Sequence, residues 1–123
     1  MCKIKIYWEK KMIQIREKDE RLIFQCDKAL ELRDIVDVKE IIAEQREKQI
    51  VINLEGVSSI KNSTLKVLKE IAEQNKLSLC SLDADVHALL NIMNYDNVFH
   101  IFPTEESVFE DKYELKNRRF KVV

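Results

Sequence analysis

Few side chains in this sequence have a type and spacing that could do chemistry. The cysteines are Cys2, Cys26 and Cys80, an odd number set far apart. This is neither a disulfide framework nor a metal-ligand pattern. They read as reduced thiols, with Cys26 and Cys80 buried in strands as small apolar side chains. His87 falls on the outer side of a helical pattern and His100 in a short strand pattern, distant from each other in the chain. No metal site is expected from them, because the His/Cys/Asp spacing of one is absent. Gly56 is the single glycine. A phosphate-cradling loop of the Walker or dinucleotide type therefore cannot form, and no cofactor is expected. Hydroxyl groups gather after that glycine, at Ser58, Ser59, Ser63 and Thr64. A nucleophile needs a base and a group to orient it, and abundance of serine supplies neither, so no catalytic residue is assigned. From the residues alone, Ser63 or Asn62 at a predicted helix start reads as a cap.

The elements that position these groups follow from periodicity. Ile4, Ile6 and Trp8 alternate with charged and polar residues, and Met12, Ile13 and Ile15 repeat the alternation, which predicts two half-buried strands. Leu22 to Cys26 is a third strand, with Leu30 and Leu32 as its continuation. Asp34 is placed to cap a helix running to about Gln45, with Ile35, Val38, Ile41 and Ile42 on its inner face. The β-branched run QIVINL, from Gln49 to Leu54, predicts a central strand buried on both faces, and Gly56 marks the turn after it. A second helix is expected from Ser63 to Gln74, and a strand over Leu77, Leu79 and Leu82. Asp83 caps a third helix through Val86, Leu89, Leu90 and Met93, and Val98 to Phe102 forms a short strand ended by Pro103. Thr104 caps a last helix with Glu105 and Glu106 at its positive end, and Phe120 to Val123 is strand-like. Strands followed by strand–helix alternation predict a single α/β domain, with a mixed sheet of about 4–6 strands and about four helices.

Composition sets the class. The 123 residues suffice for one core, and 46% hydrophobic content excludes a disordered chain. The 21 basic and 22 acidic residues give a net charge of −1, with the signs interspersed except in a mildly basic tail. No nucleic-acid footprint is expected from that balance. The start of the chain lacks the continuous apolar run of a signal peptide, and no stretch approaches the ~20 residues of a membrane span. A cytoplasmic protein is expected.

Three segments together resemble the STAS family, the anti-sigma factor antagonists. IVINLEGVSSIKNSTLKVL (Ile50 to Leu68) is similar to the family's central strand, turn and D-S-S-G-L segment before a helix. LSLCSLDADVHALLNIMNYDNVFHIF (Leu77 to Phe102) resembles its next strand, its V-x-x-L-L-x-x-x-G-L helix and its last short strand. LIFQCDKALELRDIVDVKEII (Leu22 to Ile42) resembles its strand, G-E-L-D turn and first helix. The likeness spans residues 12–110, which leaves 1–11 as an N-terminal strand extension and 111–123 as a basic C-terminal extension.

The resemblance implies a regulatory, non-enzymatic bacterial phosphoprotein of transcription control. It would bind an anti-sigma factor that is also a serine kinase, and a metal-dependent serine phosphatase would reverse the modification. The phosphorylated serine maps onto Ser63, with Thr64 the second candidate, and the partner face onto Glu31, Lys61, Asn62, Ser63, Thr64 and Leu65. The chain departs from the motif at Lys61 for aspartate, Asn62 for serine and Thr64 for glycine, and the G-E-L-D turn carries Lys28 and Glu31. Two alternatives stay open. One is an unphosphorylated STAS adaptor of a transport ATPase or signalling scaffold, the other a small α/β enzyme. The terminal extensions are expected to pair with each other or to build a homodimer edge.

Overall fold

In the computed structural model, which describes residues 9–10, 13–26, 30–43, 49–95 and 97–115, the run after Gln49 lies in the middle of a sheet. The strands are β1 (Glu9–Lys10), β2 (Ile13–Lys18), β3 (Arg21–Cys26), β4 (Gln49–Asn53), β5 (Leu77–Cys80) and β6 (His100–Phe102). The helices are α1 (Leu32–Ala43), α2 (Asn62–Gln74), α3 (Ala84–Ile92) and α4 (Glu105–Glu110). The six strands lie side by side in chain order. The first three are antiparallel neighbours. From β3 onward the pairs are parallel. A parallel link needs a crossover, and α1, α2 and α3 supply the three. This is the mixed α/β sheet expected from the sequence.

Alternation along the strands divides the interior into two unequal cores. Ile50 and Ile52 of β4 face a large cluster with Ile35, Val38 and Ile42 of α1, Leu65, Leu68 and Ile71 of α2, and Val86 and Leu90 of α3. Val51 faces the other way, into a small cluster with Ile23, Cys80, Phe102 and Val108. The three crossover helices therefore share one face, and α4 covers part of the other. Each of these large side chains contributes about 1.5–3 kcal/mol on burial. Cys26 and Cys80 are buried as expected, and burial first of all pushes both thiols up to about 12. They are inert core residues.

Asp83 and Thr104 cap α3 and α4 as anticipated, each accepting from a first-turn amide. Gly56 takes φ 92°, a left-handed value that only glycine adopts cheaply. Several expectations need correction: β5 ends at Cys80, short of Leu82, and β6 begins at His100 rather than Val98. Leu30 and Leu32 do not extend β3, since Leu32 is already the first residue of α1. Asp34 is not the cap but sits inside the first turn, where its Oδ2 accepts from the Glu31 amide at 3.2 Å. The side chain works backwards, as the last residue of a capping box does.

The strand patterns at residues 4–8 and 120–123 lie outside the described residues. Glu9–Lys10 pairs with β2 at one edge of the sheet, whereas Leu115 bridges Ile101 of β6 at the other.

Candidate functional site

The start of α2 is built by the loop that leaves β4. Leu54, Val57 and Ile60 are buried in the large core. The Val57 amide donates to the Leu54 carbonyl at 3.0 Å, and the Asn53 side chain accepts from the Glu55 amide at 2.9 Å. With those anchors inside, Ser58, Ser59 and Lys61 are left on the surface.

The cap expected from Ser63 or Asn62 is not made. Lys61 occupies the cap position in an extended conformation and gives no side-chain hydrogen bond. The first intrahelical bond runs from the Leu65 amide to the Lys61 carbonyl at 3.1 Å. Asn62, Ser63 and Thr64 are thus the first three helical residues, and among the described residues no side chain caps their amides. Lys61 also puts a positive charge at the positive end of the helix, a placement that costs about 0.3–1 kcal/mol where a carboxylate would gain it.

Ser63 is exposed and lines a groove of about 640 Å³ with Leu30, Glu31, Leu32, Ser59 and Lys61, and Arg33 lines it too. The backward bond from Asp34 fixes the turn that presents Glu31, Leu32 and Arg33. Glu31 and Arg33 form a loose surface pair at 3.9 Å.

Glu31, Lys61 and Ser63 therefore meet on one groove, and Asn62 is exposed beside them. Thr64 and Leu65 differ. Leu65 is a core residue with no exposed surface. Thr64 is 1% exposed, and its hydroxyl is enclosed without a hydrogen-bond partner among the described residues. Neither side chain is presented to a partner. The groove also includes Leu30, Leu32, Arg33 and Ser59, which the sequence does not single out. The helix starts at Leu32, three residues earlier than a cap at Asp34 implies, and that start is what brings Leu32 and Arg33 to the groove.

A second polar cluster lies on the reverse face. Arg16 of β2 donates to both carboxylate oxygens of Glu105 of α4 at 3.1 Å and to Gln25 at 2.9 Å. Asn53 donates to Glu105 at 2.9 Å. Burial raises the Glu105 carboxyl, but the hydrogen bonds from Arg16 and Asn53, with the Arg16 charge, outweigh it and hold the group below the ordinary value. These groups are already matched to one another, so the cluster ties α4 to the sheet. His100 pairs with Glu114 at 2.9 Å on the surface. No group of His, Cys, Asp and Glu among the described residues is arranged to hold a metal ion.

The sequence profile of the STAS domain family matches residues 12–108. This chain belongs to the STAS family. The STAS domain is similar in fold to a crystal structure of a candidate anti-sigma factor antagonist from Thermotoga maritima, with a TM-score of 0.72 at 20% identity over 80% of this chain and 92% of that one. An NMR structure of the same Thermotoga protein gives 0.72 at 21% identity over 90% and 97%. An anti-sigma-factor antagonist (STAS) domain protein from Planctomyces limnophilus gives 0.66 at 17% over 80% and 96%. No curated protein matches the chain. Among the described residues, no helix of this STAS domain is long and apolar enough to cross a membrane.

Proposed function

We propose that this STAS protein is a partner-switching regulator of the anti-sigma factor antagonist type, acting by binding in the cytoplasm rather than by catalysis. The observation that carries this reading is the exposure of Ser63 at the second position of a helix with no side-chain cap, in a groove shared with Glu31 and Lys61. Unmodified, the groove docks an anti-sigma factor with serine kinase activity. Phosphorylation of Ser63 adds about −1.5 to −2 charges in the middle of that face and releases the partner. The free amides of the helix start stabilise the phosphate within this chain, and Lys61 neutralises part of it. A metal-dependent serine phosphatase resets the protein.

Intact mass and phosphopeptide mapping of the protein from its own host test this. The expected result is one phosphate on the peptide containing Ser63, lost in Ser63→Ala. A partner that co-purifies while Ser63 stays unmodified through growth and stress would replace the switch with a constitutive STAS adaptor.

A further inference from the structure

Besides its groove, the start of α2 shares a seam with α1. Leu32, Val36 and Lys39 fall on one face of α1, at intervals of four and three residues, and Ser63, Val67 and Glu70 do the same on α2. Two contacts show that these faces adjoin. Leu32 and Ser63 line the same groove at the upper end. Lys39 Nζ lies 2.7 Å from Glu70 Oε1 at the lower end. Between them Leu32 and Val36 are 43% and 41% exposed, and Val67 is half-buried beside them. This is an apolar stripe about one helical turn, or roughly 6 Å, long. The ion pair closes it below and cations flank it above. Lys61 makes no ion pair among the described residues, and Arg33 reaches Glu31 only at 3.9 Å.

We infer that this seam docks a protein segment that sets one or two apolar side chains against Leu32 and Val36 and places a carboxylate on Lys61. Charge complementarity decides the sign. Glu31 on the same groove offsets Arg33, which leaves Lys61 and the positive end of α2 as the excess charge, and together they oppose a basic partner and draw an acidic one. Lys61 then acts as a selector, since it costs stability in the free protein and is matched only in the complex. The inference rests on the docking reading of this face but not on phosphorylation.

Carbodiimide coupling tests it on the full-length protein with the partner captured from its host. The reagent condenses an amine with a carboxylate in contact, with loss of water, to form an amide. The expected product joins Lys61 Nζ to an aspartate or glutamate of the partner. Lys61→Glu and Leu32→Asp should each weaken binding about tenfold or more. Lys61→Glu places a carboxylate at a helix start and so does not unfold the chain. Replacing the coupled partner carboxylate with lysine should restore binding to Lys61→Glu. A Lys61 cross-link to a second copy of this chain would overturn the inference. So would equal affinity of the wild type and Lys61→Glu, even if Ser63→Asp releases the partner. If Ser63→Asp binds normally while Lys61→Glu does not, the switch fails and the acidic docking site stands.

Discussion

Arg16 and Glu105, at opposite ends of the chain, meet as a two-point ion pair with both nitrogen–oxygen distances at 3.1 Å. Their side chains are about a fifth exposed, so the pair is neither fully solvated nor dry. It fastens α4 where the apolar contact is small, because only Val108 of that helix is buried in the reverse-face cluster.

Removing the charge should loosen that fastening in a pH-dependent way. Glu105→Gln keeps the shape but leaves Arg16 without its ion partner, and should cost about 1 kcal/mol at neutral pH. The folded-state carboxyl titrates below its ordinary value of 4.5. Its contribution is therefore present above that value and is lost as pH falls through the folded one. Urea denaturation at neutral pH should separate the two proteins, and the separation should shrink in acid. A gap that persists in acid would mean that shape, not charge, holds α4.

The turn between β2 and β3 is a second place where stability can be gained. Lys18 pairs with Arg21 across it, leaving Asp19 and Glu20 as a two-residue connection with φ of 52° and 64°. Two successive left-handed residues are what a right-twisted hairpin wants, and glycine is the usual choice at the second. Glu20→Gly should raise stability by about 0.5–1 kcal/mol, read as a higher Tm. An unchanged or lower Tm would place the cost of the turn elsewhere.

These two features also mark what the sequence could reveal. Asp83 and Thr104 were legible as caps because each side chain and the amide it satisfies lie within three residues. Gln49 to Asn53 was legible because strands buried on both faces need continuous apolar runs. The start of α1 was not, since Asp34 reaches back to Glu31 instead of forward, and that shift hid Leu32 and Arg33 from the candidate site. No local pattern announces that Arg16, Gln25, Asn53 and Glu105 converge, because sheet register and the packing of α4 bring them together. The exposure of Ser63 and the burial of Thr64 depend on which way the first turn of α2 faces, which only the anchoring of Leu54, Val57 and Ile60 fixes.

Thr64 carries a buried hydroxyl with no partner, which is costly in a packed interior. Valine has nearly the same shape without the polar atom. Thr64→Val should therefore stabilise the protein by about 1 kcal/mol, as the desolvation penalty disappears. It should leave the proposed phosphorylation of Ser63 unaffected, since the two side chains point to different surroundings. Thermal melting and the phosphopeptide assay check the two halves separately. A loss of stability would mean that the hydroxyl is satisfied in solution.

Negative charge at Ser63 should strengthen the folded chain, even where it disrupts the proposed docking. Ser63 is exposed in the first turn of α2, where the amides are free and the helix end is positive. Ser63→Asp should raise stability by about 0.3–1 kcal/mol at low ionic strength, and Ser63→Ala should stay within about 0.5 kcal/mol of wild type. The gain should fall in high salt, because the site is open to solvent. Denaturation at two ionic strengths measures both effects. With that sign, the proposed release of a partner would have to come from charge and bulk on the docking face. A destabilised Ser63→Asp would point instead to unwinding of the first turn of α2, which would also displace Lys61 and the mouth of the groove.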